Sequence, residues 1–119
     1  MPSKPPKNYR AMHDEHPDLM AAYEAFGKAC SAAGPLDRRT ISLVKLAISL
    51  GAGIEGAAHA HARKAVDAGC SAEDLLHVAH LCAPTIGFPP MMRARRWVLD
   101  ELEVAPKASA RAKPARRAR

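Results

Sequence analysis

The chain has 119 residues, 48% of them hydrophobic but only 4% aromatic, and its formal net charge is +6. One domain's worth of chain is left once the tails are set aside, about 90 residues, enough for a small helical bundle with a core of Ala, Leu, Ile, Val and Met. Nothing approaches the run of roughly 18 apolar residues that a membrane span needs, and the start MPSKPPKNYR lacks the apolar segment of a secretory signal, so a cytoplasmic protein without a membrane partner is expected. Helices built from such small side chains bury little area each, which points to oligomerisation.

Residues 1–13, rich in Pro and Lys, read as a flexible lead, and residues 14–104 as the folded domain. A first helix is expected after His16-Pro17-Asp18, running to the stop Gly34-Pro35, with Leu19, Ala22, Tyr23, Phe26 and Cys30 forming one apolar face. Asp37 caps a second, mostly buried helix that Gly51 and Gly53 end. A third runs from Glu55 to Ala68, and Gly69 closes it in a left-handed conformation. Ser71-Ala72-Glu73-Asp74 has the form of a capping box, which opens a fourth helix through about Ala83. Pro84 and the loop TIGFPP precede a fifth from about Pro90 to Val104. No alternating strand pattern competes, so the fold class is all-α, a compact bundle of about five to six helices.

The charge is unevenly placed. Residues 1–104 hold 12 Lys/Arg against 12 Asp/Glu, whereas residues 105–119 hold six Lys/Arg and no acid. That tail has nothing apolar larger than Ala to bury and is expected to be disordered. It is a possible nucleic-acid or polyanion contact, but a solubilising role ranks above that one, because the tail has no aromatic side chain to stack on bases.

Three cysteines, Cys30, Cys70 and Cys82, are an odd number at wide spacing with no CxxC, and read as small buried hydrophobes. Cys70 stands next to a predicted helix start, whose dipole can lower a thiol pKa; the inert reading is preferred.

Chemistry concentrates in the Glu55–Ala68 helix, which sets Glu55, His59 and His61 among alanines. At about 100° per residue His59 lies about 40° from Glu55, and His61 about 120° round in the other direction. Glu55 and His59 thus share an edge, His61 faces elsewhere, and a second element is needed to bring all three to one point. Arg63, Lys64 and Asp67 fall on the arc expected to face solvent. An acid/base role for Glu55, His59 and His61 is weighed against a helix-terminus role for Glu55 and interface hydrogen bonds for the histidines, and is preferred on residue type. On the fourth helix Glu73, His77 and His80 share a face, which reads as a polar outer surface before a metal site.

With these residues in view, the chain resembles the carboxymuconolactone decarboxylase and alkylhydroperoxidase D superfamily over about Leu36 to Leu102. The resemblance rests on LDRRTISLVKLAISLGAG feeding IEGAAHAHARKAVDAG, on SAEDLLHVAHL, and on PTIGFP before a final Trp-containing helix. It implies an oligomeric all-α bundle of the alkylhydroperoxidase D-like type, a trimer or hexamer of identical chains. Peroxidase-like members carry CxxCxxxH. Matching their histidine to His61 puts the two cysteine positions on Ile54 and Ala57 and their glutamate on Ser42, so the thiol peroxidase activity is disfavoured.

The cysteine-free decarboxylase branch keeps a histidine at the His61 position. The resemblance therefore implies a cofactor-free, lyase-like enzyme acting on a small-molecule substrate by acid/base chemistry, decarboxylase or isomerase in type, with His61 at the family's histidine position; Glu55 and His59 join it as expected catalytic residues on the residue-type reading of the same helix. Two alternatives stay open. One is a divalent-metal enzyme using Glu55, His59, His77 and His80, and the other is a non-catalytic oligomer whose tail binds a polyanion.

Overall fold

The computed structural model describes residues 5–104, and the predicted tail at 105–119 lies outside them. Seven helical segments follow one another, with no strand among the described residues: α1 Lys7–Glu15, α2 Pro17–Ser31, α3 Arg38–Ala52, α4 Glu55–Asp67, α5 Ala72–His80, α6 Cys82–Ile86 and α7 Phe88–Val104. The all-α expectation holds.

Local chemistry explains most of the boundaries. Asp37 caps α3 by accepting a hydrogen bond from the Thr40 N–H at 2.8 Å. Gly53 ends α3 in the left-handed region at φ 71°, where a Cβ would also come within 2.8 Å of the Arg93 guanidinium. Gly69 follows α4 with φ 94°. The capping box of α5 is formed: Ser71 Oγ accepts from the Asp74 N–H at 3.1 Å, and Asp74 Oδ2 accepts from the Ser71 N–H at 2.8 Å. Asp74 also pairs with Arg39 of α3, which ties the start of α5 to the neighbouring helix.

Two segments depart from expectation. The lead predicted over 1–13 is helical from Lys7, because Pro5 and Pro6 precede the helix without entering it. The loop predicted around Pro84 contains the short helix α6, whose third residue is that proline, a position with no intrahelical N–H partner to lose. Accordingly α5 stops at His80 and α7 begins at Phe88, with Pro89 and Pro90 in its first turn.

The core lies where α3, α4, α5 and α7 meet. Leu46, Leu50, Leu75 and Val98 are fully enclosed, and five of the eleven residues in this cluster are alanines, so the helices approach closely but each buries little area. Cys70 and Cys82 belong to this cluster as expected. The predicted apolar face of α2 does not. Leu19, Tyr23, Phe26 and Cys30 are exposed, Met20 is the buried residue of that helix, and Val44 and Ile48 on α3 are exposed too. The sequence stripe is real, yet the helix lies against α1 at the edge of the bundle, so its stripe meets no core. Two polar contacts to Glu24 of α2 join that pair, a hydrogen bond from the Tyr9 hydroxyl at 3.3 Å and an approach of His13 Nε2 to 2.9 Å.

Candidate functional site

α4 presents chemistry on two separate sides, as its helical period requires. On the side facing α7, His59 stands between two carboxylates: its Nδ1 is 2.7 Å from Glu101 Oε2, and its Nε2 is 3.4 Å from Glu55 Oε2. Arg63 Nη1 reaches the same Glu101 oxygen at 3.3 Å. The His59 ring lies 6.3 Å from Trp97, and the Arg93 guanidinium covers that indole at 5.2 Å. Only an imidazolium has two N–H groups, so a neutral His59 donates to one carboxylate and turns a lone pair to the other. The shorter contact makes Glu101 the preferred acceptor.

Arg63 is therefore not on a solvent arc as predicted. Its side chain is largely covered because Glu101, from α7, draws it inward. Glu101 is the residue that sequence reasoning missed. It lies 42 positions from His59, and nothing local to α7 distinguishes it from Glu103.

His61 faces the other way, toward α2 and α3. It lines a cleft of about 820 Å³ with Tyr23, Phe26, Cys30, Lys45 and Lys64. A smaller adjoining depression of about 280 Å³ adds Arg38, Ser42 and Asp67 around the same histidine. Burial holds the imidazole below its ordinary value of 6.5, and the positive charges of Lys64 and then Lys45 push in the same direction. His61 is thus a neutral base near pH 7 with cations beside it. Ser42 donates its hydroxyl hydrogen to the Arg38 carbonyl at 3.1 Å.

The three predicted catalytic residues accordingly divide. Glu55 and His59 meet, while His61 occupies a different cleft. Glu73, His77 and His80 are exposed on α5. Among the described residues no three His, Cys, Asp or Glu side chains are grouped so as to hold a metal ion, so the set Glu55, His59, His77 and His80 is not assembled. Burial raises the Cys70 and Cys82 thiols above 9.0, which disfavours the reactive thiolate; at Cys70 this outweighs the nearby Arg39. Cys30, expected to be buried, is exposed.

A family model, the Carboxymuconolactone decarboxylase family, matches residues 17–100. The chain belongs to that family. No curated protein and no solved structure gave a significant match. Membership in the carboxymuconolactone decarboxylase family extends the resemblance back through α2, so the helix at the edge of the bundle is part of the family's domain. Within that frame Ile54, before α4, and Ala57, in its first turn, offer no thiol. The described residues contain no helix long and apolar enough to cross a membrane.

Proposed function

We propose that this member of the carboxymuconolactone decarboxylase family is a cofactor-free enzyme of decarboxylase or isomerase type, acting on a small carboxylate in the α2–α3–α4 cleft. The observation that carries the reading is the half-buried His61 beside Lys45 and Lys64 in a cleft walled by Tyr23 and Phe26. The lysines suit an anionic group, and the aromatic walls suit a flat unsaturated skeleton. The Glu55–His59–Glu101–Arg63 cluster is a clamp between α4 and α7, since both ring nitrogens of His59 face carboxylates of the same chain.

Substrate binding changes what His61 can do. The two lysines disfavour its protonation in the free protein. A bound carboxylate offsets their field, so an imidazolium becomes accessible with the anion in place. In decarboxylation the electrons of the breaking carbon–carboxylate bond pass into the conjugated system, CO2 departs, and His61 delivers its proton to carbon; one solvent proton is consumed per turnover. In isomerisation the neutral ring removes a proton from carbon and returns it at another position, with no net consumption. Without thiols at Ile54 and Ala57, a dithiol peroxidase cycle has no nucleophile on α4.

The experiment offers the purified chain a panel of small unsaturated lactone acids and keto acids, following CO2 release and ultraviolet absorbance. His61→Ala is expected to lower turnover by about 10²–10⁴-fold, the usual weight of a positioned proton-transfer group. His59→Ala should retain most of the activity of its folded fraction. Undiminished turnover by His61→Ala of every substrate the wild type consumes would remove the assignment.

A further inference from the structure

α1 lies before residues 17–100, the segment that the family model matches, yet it reaches the His61 cleft. Its Tyr9 lines that cleft together with His61 and Lys64 of α4 and Tyr23 and Glu24 of α2. Tyr9 also lines a second hollow of about 190 Å³, with Pro5 and Pro6 before α1 and Arg63 and Lys64 on α4. The helix therefore runs beside the cleft from α2 to α4. No residue of α1 is buried, and Glu24 ties it down: its carboxylate accepts from the Tyr9 hydroxyl at 3.3 Å and is met by His13 Nε2 at 2.9 Å. The Tyr9 and His13 rings pack edge to face with centroids 5.0 Å apart. Burial, and after it the charge of Glu24, hold the Tyr9 hydroxyl above its ordinary value of 10.0, so it stays a donor at neutral pH.

The chain has two Tyr, two Phe and one Trp. Both tyrosines and Phe26 line this one cleft, and none of the three belongs to the buried core, where an aromatic side chain stabilises a fold most. Flat rings gathered around a half-buried imidazole and two lysines fit a ligand with a flat apolar body and an anionic group.

We infer that Tyr9 is a ligand-selecting residue of the His61 cleft, its ring forming the wall on the α1 side and favouring flat carboxylates over puckered ones of the same charge. The inference rests on the proposed reading of that cleft as a carboxylate site, and adds to it a selecting element carried by a helix outside the family match. The His13 and Glu24 side chains are 38% and 47% exposed, and tethers so exposed are weak, so α1 can yield as a ligand enters.

The test titrates the isotope-labelled full chain with benzoate and with cyclohexanecarboxylate and follows the His61 imidazole resonances, assigned through their loss in His61→Ala. The two acids carry the same charge and are close in size, so the lysines act on both alike and the ratio of their dissociation constants reports shape. The wild type is expected to prefer benzoate by roughly three- to tenfold, the weight of one or two aromatic contacts. Tyr9→Ala should reduce that preference by roughly threefold, while Tyr9→Phe, which keeps the ring, should retain it. Glu24→Ala removes the acceptor that places Tyr9 and should lower the preference with the tyrosine intact. α1 contributes no residue to the core, so these variants are expected to keep the wild-type circular dichroism. An unchanged ratio in Tyr9→Ala overturns this inference alone, whereas a wild type in which neither acid moves His61 overturns it together with the proposed function. Equal losses in Tyr9→Phe and Tyr9→Ala also overturn it, because the hydroxyl and not the ring would then be the selecting group.

Discussion

At His59 one ring faces two carboxylates that differ in almost every respect that sets the strength of a contact. The Glu101 side chain is 12% exposed, lies at 2.7 Å and also holds Arg63; the Glu55 side chain is 64% exposed and lies at 3.4 Å. Exposed pairs are screened and contribute little, whereas a covered carboxylate with two partners leaves both poorly compensated when its charge is removed. Glu101→Gln is therefore expected to destabilise the fold by about 1–3 kcal/mol, and Glu55→Gln to stay within about 0.5 kcal/mol, both read from urea unfolding midpoints at neutral pH. Equal effects from the two substitutions would mean that His59 does not join α4 to α7 through Glu101. The helical period was enough to separate His61 from Glu55 and His59, since spacing along one helix fixes which side chains can meet. It gave no hint of Glu101, because that pairing depends on how α7 lies across α4, a property of packing between distant segments.

The helices whose ends are written in capping residues are those the sequence placed best. Asp37, Gly53, Gly69 and Ser71 each satisfy or terminate backbone groups within a few residues of themselves, so their signal is local and survives without tertiary context. α1 and α6 are short, and prolines stand beside or within them, so propensity alone read them as irregular. The amphipathic stripe of α2 was legible, but a stripe states only that a face needs covering and leaves open whether the same chain covers it. α4 shows the converse case, where composition determines packing distance: Ala58, Ala62 and Ala65 are all buried and let α3 come close. Ala62→Leu adds three carbons where no space remains, and overpacking of this kind costs about 1–3 kcal/mol. The same helix carries His59 on one side and His61 on the other, so the shift should disturb both. The expected observations are a lowered urea midpoint and chemical-shift changes at both imidazoles by NMR, with the helical content kept.

For the molecule as a whole, an alanine-rich core and a large uncovered apolar face are two consequences of one composition. The fully enclosed large side chains are Leu46, Leu50, Leu75 and Val98, while Tyr23 and Phe26, two of the chain's few aromatic residues, stand outside. Aromatic side chains bury the most area per residue, so this chain leaves much of its available hydrophobic stabilisation unused within a single copy of the fold. Folding and association should then be coupled, because a species that binds only the native state raises apparent stability by mass action. The thermal midpoint of the wild type is expected to rise with protein concentration, by roughly 2–5 °C for each tenfold increase, given about 4–8 °C per kcal/mol in a domain of this size. Phe26→Glu should abolish that dependence and melt at or below the lowest wild-type midpoint, whatever the concentration. Scanning calorimetry across two decades of concentration makes the comparison. A wild-type midpoint that stays constant would show that the small core suffices alone, and the apolar face would then contribute nothing to holding the fold together.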